Sequence, residues 1–141
     1  MEKVWLASYP AHIPADIHPE DYSSLVTLLE ESFAKYADRT AYLSMGRGIT
    51  YRELDELSRH FAAGLQSLGV ARGSRVALMM PNLLQYPVCL FGLLRAGCVA
   101  VNCNPLYTSL ERQQHLPDSG AQTIVVVENF STGVMDRLGL S

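Results

Sequence analysis

The sequence predicts an α/β protein built on a parallel sheet, and three observations predict it. Residues 76–79, 99–101 and 123–127 are short, nearly continuous apolar runs, the pattern of strands covered on both faces. The segments between them, 83–96 and the stretch opening at Thr108, carry helix-start signals. The connections are short, so the order strand, helix, strand, helix, strand closes through right-handed crossovers.

Each element has its own local reason. Residues 1–20 carry three prolines and few periodic apolar positions, and read as an extended arm whose Trp5 and Tyr9 pack on the body or on a partner. Residues 21–37 are an amphipathic helix: Tyr22, Leu25, Val26, Leu29, Phe33 and Tyr36 recur every three or four residues, with Glu30, Glu31 and Lys35 opposite. Residues 40–51 read as a hairpin, with Gly46-Arg47-Gly48 supplying positive φ at its turn.

The next helix has a clear start and stop. Thr50-x-x-Glu53 is a capping box, in which the hydroxyl accepts from an orphan N–H and the Glu reaches back. Leu54, Leu57, Phe61, Leu65 and Leu68 form its stripe, and Gly69-Val70 ends it with a left-handed residue and an apolar contact. After the strand at 76–79, Asn82 is placed to cap a helix over 83–96, with Pro87 predicting an irregular start or a kink and Gly97 the stop. Asn104-Pro105 forces a turn after the next strand. Thr108-x-x-Glu111 is a second capping box; Pro117 is expected to limit that helix, and Asp118-Ser119-Gly120 marks its exit.

Composition narrows the function classes. The chain has 141 residues, enough for one domain, and at 48% hydrophobic and 18% charged it is globular rather than disordered. A net charge of −3, with its basic residues scattered, argues against nucleic-acid binding. Residues 83–101 are mostly apolar, but Arg95 and two glycines divide them better into a buried helix and a buried strand than a membrane span. Three cysteines and no apolar leader run at the N-terminus fit a reducing compartment.

The chemistry-bearing residues form no recognisable constellation. The only lysines are Lys3 and Lys35, so no glycine-rich phosphate loop has its lysine; Gly46, Gly48, Gly69 and Gly73 read as turn and cap residues. Cys89, Cys98 and Cys103 lack paired zinc spacing and read as buried thiols. His12, His18, His60 and His115 are scattered, the last two on what read as exposed helix faces, and Asp55-Glu56 reads as a solvated carboxylate pair. No GxSxG elbow occurs. Catalytic, cofactor-binding and metal-binding residues are therefore all expected to be none.

One resemblance covers the chain to about Phe130. Ile49-Thr50-Tyr51-Arg52-Glu53-Leu54 resembles the first core motif of adenylate-forming enzymes, and Leu94-Arg95-Ala96-Gly97 through Asn102-Cys103-Asn104-Pro105-Leu106-Tyr107-Thr108 the second. Residues 75–87, with Lys3-Val4-Trp5-Leu6 and Tyr9-Pro10, are similar to the long-chain fatty-acid–CoA ligase branch in particular.

The resemblance implies a cytoplasmic enzyme, with or without peripheral attachment to the inner membrane. It implies activation of a fatty acid with ATP and Mg²⁺ to an acyl-adenylate, and transfer of the acyl group to coenzyme A. The family's phosphate loop, magnesium Glu, ribose Asp and catalytic Lys lie downstream of the matched region, so none maps onto a residue here. Residues 21–141 then read as a truncated part of the large N-terminal α/β domain: a hairpin and amphipathic helices followed by a βαβαβ unit, inactive alone. Ser109-Leu110 and Pro117 depart from the family pattern, and the resemblance fades over 133–141. Two rival expectations are a docking module, which pairs with its C-terminal half, a homologous enzyme or itself through an exposed sheet edge, and a stand-alone ligand-binding domain.

Overall fold

The computed structural model describes residues 3–127, with backbone only for Ser109, Arg112 and Gln113; the predicted fading tail at 133–141 lies outside the described residues. The arm is not one extended run. Two 3-10 turns, Val4–Ser8 and Pro19–Asp21, interrupt it, and Trp5 and Tyr9 are both more than two-fifths exposed.

Helix α1 spans Leu25–Lys35, starting later than its periodicity predicts. The Ser24 hydroxyl accepts from the Thr27 N–H at 3.1 Å and caps it, while Pro19–Asp21 is diverted into its turn. Strands β1 (Thr40–Ser44) and β2 (Arg47–Thr50) form the antiparallel hairpin, with Ala41 left over as a bulge. Its turn is made by Met45 and Gly46, at φ 49° and 76°, while Gly48 lies in β2. Two consecutive positive φ values match the right-handed twist of the flanking strands, so the turn sits one residue earlier than the glycine pattern predicts.

Helix α2 (Tyr51–Ser67) carries the complete capping box: the Glu53 N–H reaches Thr50 Oγ1 at 3.2 Å, and the Thr50 N–H reaches the Glu53 carboxylate at 2.8 Å. It ends at Gly69 (φ 80°) with bonds from Gly69 N–H to Gln66 O and Val70 N–H to Leu65 O, both 3.0 Å, the Schellman pattern. Its buried face corrects the leucine stripe. Leu54, Ser58, Ala62 and Leu65 are buried, whereas Leu57 is 46% and Leu68 81% exposed. Small residues win the contact because α2 packs closely on α3 (Gln85–Arg95), where Gly92 faces Ser58 and Phe61.

The start of α3 also departs from expectation. Its N-cap is Leu84, with no side-chain cap, because residues 81–83 turn first through the Leu83 N–H to Pro81 O bond. Asn82 therefore caps nothing. Pro87 becomes the third helical residue, where a missing N–H is an orphan in any case, so of the two outcomes it predicts the irregular start is the one seen, and the helix runs on unbroken through it. Helix α4 (Ser109–Ser119) has the second capping box and runs through Pro117 instead of stopping before it. Its last turn is closed by Ser119 Oγ donating to Leu116 O at 2.8 Å and by the Gly120 N–H to Pro117 O bond at 2.9 Å.

The parallel sheet has the order β4-β3-β5, with β3 at Arg75–Met79, β4 at Val99–Cys103 and β5 at Thr123–Val126. The βαβαβ expectation therefore holds. Residues 76–79 are all buried and face two ways. Val76 and Leu78 pack with Leu65, Cys89, Leu93 and Ala96 under α2 and α3; Ala77 and Met79 pack with Cys103 and Leu116 on the α4 side. A third cluster of Phe33, Ile49 and Leu54 joins α1 and the hairpin to this body.

Candidate functional site

In an open parallel sheet, ligands favour the carboxyl ends of adjacent strands whose following helices lie on opposite faces. Here those strands are β3 and β4, because α3 and α4 cover opposite faces. Their carboxyl ends lead into residues 80–82 and 104–107. Tyr86 Oη donates to Asn102 Oδ1 at 2.8 Å, tying the start of α3 to β4. Asn104 Oδ1 accepts from the Leu106 N–H at 2.9 Å, the local turn that Asn-Pro sequences favour. These are positioning contacts, in which no nucleophile, lysine or paired carboxylate takes part.

The titratable groups named from sequence lie apart. His12 and His18 belong to the arm, where His18 Nδ1 meets a Glu20 oxygen at 3.2 Å. His60 is exposed on α2. His115 is not on an exposed face: it is half-buried, with its ring edge-on to Tyr107 at 5.6 Å and its Nε2 buried without a partner among the described residues. Cys89, Cys98 and Cys103 are buried free thiols, and loss of water pushes all three up, Cys89 to about 11. Among the described residues no group of three His, Cys, Asp or Glu is placed to hold a metal.

Asp55 and Glu56 do not form a solvated pair. Asp55 points inward and accepts from Arg95 at 2.5 Å and from Arg59 at 2.9 Å, while Glu56 stays exposed. Arg95 also reaches Glu30 at 3.0 Å and lies over the Phe33 ring at 5.4 Å. One guanidinium on α3 thus joins α1 and α2 to it. Periodicity could not show this, because the partners are 40 and 65 residues from Arg95.

A concavity of about 660 Å³ lies between β2, α2 and the start of α3. Ile49, Leu57, Phe61, Leu84 and Val88 make it largely apolar, and Arg47, Glu53 and Glu56 stand at its rim.

The family model described as AMP-binding enzyme matches residues 29–138. The chain belongs to the AMP-binding enzyme family. It is 58% identical over 132 residues to a long-chain-fatty-acid–CoA ligase of Escherichia coli O6:H1, covering 93% of this chain and 24% of that protein. It is 50% identical over 133 residues to the ligase of the same name from Haemophilus influenzae, covering 94% of this chain and 24% of that one. The chain thus spans about a quarter of the length of these relatives and matches their N-terminal region.

Solved structures agree. A benzoate CoA ligase from Burkholderia xenovorans LB400 aligns with TM-score 0.74 at 31% identity, over 82% of this chain and 24% of that one. VinN in complex with L-aspartate aligns with TM-score 0.78 at 29% identity, over 84% and 31%. In this chain residues 49–54 and 94–108 are thus a capped helix start, a glycine helix stop, an edge strand and an Asn-Pro turn; the strand, expected to be buried on both faces, is half-exposed, with only Cys103 buried.

Proposed function

We propose that this chain supplies the opening part of the large N-terminal domain of a long-chain fatty-acid–CoA ligase. The parent enzyme would activate a long-chain fatty acid with ATP and Mg²⁺ to the acyl-adenylate, release pyrophosphate and pass the acyl group to coenzyme A. The single observation carrying this reading is 58% identity sustained over 132 residues to a ligase of that name. On this reading the parent is cytoplasmic, with peripheral contact at the inner membrane where its lipid substrate arrives. No helix among the described residues is long and apolar enough to cross a membrane.

The stretch itself has a scaffold role and no catalytic residue. Its donor set does not suit a magnesium triphosphate. Lys3 is held by Asp16 at 2.6 Å, and Asp55 and Glu30 are taken up by Arg95. No step of the adenylation is therefore assigned to these residues. A second reading, a docking module that pairs with its C-terminal half or with itself, draws on the outer edges of β4 and β5, which pair with no strand among the described residues.

The test is thioester formation from palmitate, ATP, Mg²⁺ and coenzyme A. The 141-residue chain alone should give none above background. Mixed with the remaining three quarters of the Escherichia coli relative, produced as a separate chain, it should bind and restore turnover. Thioester made by the chain alone would overturn the scaffold role, and a remainder that neither binds nor turns over would overturn the parentage.

A further inference from the structure

The groove between β2, α2 and α3 has three properties that belong together. Its apolar lining is incomplete: Leu57 sits on the helical stripe that the sequence marks for burial, yet it is 46% exposed. A leucine left half in water forgoes part of the transfer free energy that its position would otherwise supply. The neighbouring hairpin repeats the pattern, with Leu43 73% and Met45 92% exposed. A second, smaller concavity of about 270 Å³ continues the surface past the shared Leu84 to Tyr42 and Leu43.

The rim is charged unevenly. Glu53 and Glu56 stand on the α2 side and Arg47 on β2. Glu53 is held ionised by its bonds from Thr50, which lower its pKa. Glu56 has no ion pair among the described residues. Two carboxylates against one guanidinium suit an occupant with an apolar face and basic residues along the α2 edge. They repel a free fatty-acid carboxylate. Three quarters of the relatives' length lies outside this chain, so an occupant of that kind is to hand.

We propose that this groove is the seat for an amphipathic segment from the remaining three quarters of the parent ligase, its apolar side chains inserting against Leu57, Phe61, Leu84 and Val88 and a basic residue meeting Glu56. The inference rests on the proposed parentage. It names the surface through which this scaffold engages the rest of the enzyme, away from the sheet edges.

The test measures binding of the 141-residue chain to the separately produced remainder of the Escherichia coli relative. Leu57→Glu and Glu56→Arg should each weaken binding by about tenfold or more, the loss typical of a central interface residue. Leu68→Glu, at the C-terminal cap of the same helix but outside the groove, should stay within about twofold. Circular dichroism confirms that each variant keeps its helices; Glu56→Arg lies on an exposed position and remains informative if Leu57→Glu loses fold. Wild-type binding unchanged by both groove substitutions would overturn the docking surface and leave the parentage standing. Absence of wild-type binding would overturn the parentage and the surface together. Concentration-dependent dimerisation of the chain alone that Leu57→Glu abolishes, or saturable palmitate binding blocked by Leu57→Glu, would assign the groove to another occupant and overturn the proposal.

Discussion

A methyl group added to Gly92 would stand 2.9 Å from the Ser58 carbonyl oxygen and 2.6 Å from a Phe61 ring carbon. Helices α2 and α3 are in tight contact at this point, over the fully buried Ser58. Gly92→Ala should therefore destabilise the chain by about 1–3 kcal/mol, the usual cost of overpacking a close contact. Urea denaturation should show a lower midpoint at unchanged slope. A neutral or stabilising effect would mean that the two helices separate more easily than their packing indicates.

Arg95 should be worth more to Asp55 than to Glu30. Its own side chain is 10% exposed and that of Asp55 22%, against 51% for Glu30. A double-mutant cycle should give a coupling of about 1–2 kcal/mol for the first pair and under about 0.5 kcal/mol for the second, because exposed pairs are screened and pay side-chain entropy. Equal couplings would contradict the burial argument.

The capping box of α2 should titrate. Hydrogen bonds from the Thr50 backbone, then from its hydroxyl, hold the Glu53 carboxyl below its ordinary 4.5. A carboxyl with a lowered folded pKa contributes stability above its unfolded value and loses it as pH falls through the folded one. Wild type should therefore melt above Glu53→Gln at pH 7, and the gap should close as pH drops below 4.5. A gap that persists unchanged to pH 3 would separate the cap from its charge.

The thiols should behave in the opposite sense. Burial raises Cys89 from 9.0 to about 11. A raised folded pKa favours the fold below pH 9 and withdraws that support between there and about 11, as the unfolded thiol ionises first. Cys89→Ser should flatten the alkaline loss of stability over that range. Aromatic disulfide reagents at pH 8 should label the cysteines only as fast as the chain opens. Rapid stoichiometric labelling in native buffer would show that the thiols are accessible.

Local chemistry was the legible part of the fold. Thr50 with Glu53 and Thr108 with Glu111 announce helix starts because a cap involves only four consecutive residues, and Gly69, Gly97 and Gly120 announce stops because all three take positive φ. Residues 76–79 read as a two-sided strand because nothing polar interrupts them. What escaped depends on distant partners. Asp55 looked solvated until Arg95 arrived from another helix, and His115 looked exposed until Tyr107 folded over it. Leu57 matched the buried stripe but lost its place to Ser58 and Ala62, which allow closer approach. Asn82 had the chemistry of a cap, but the backbone turned before it could serve as one. The family resemblance was legible in residues 76–108 for a related reason: that run combines several local signals in a fixed order. The groove was not, because β2, α2 and α3 meet there only in three dimensions.

The strand order β4-β3-β5 also sets a schedule. The central strand is made first, and during synthesis from the N-terminus it emerges with both edges bare. Its first neighbour is complete only at Cys103, 24 residues after Met79 (103 minus 79). At about 5–20 residues per second that is roughly 1–5 s of waiting. The most deeply buried strand among the described residues spends that interval unpaired, and α2, already complete, is an element that can shield it while translation continues.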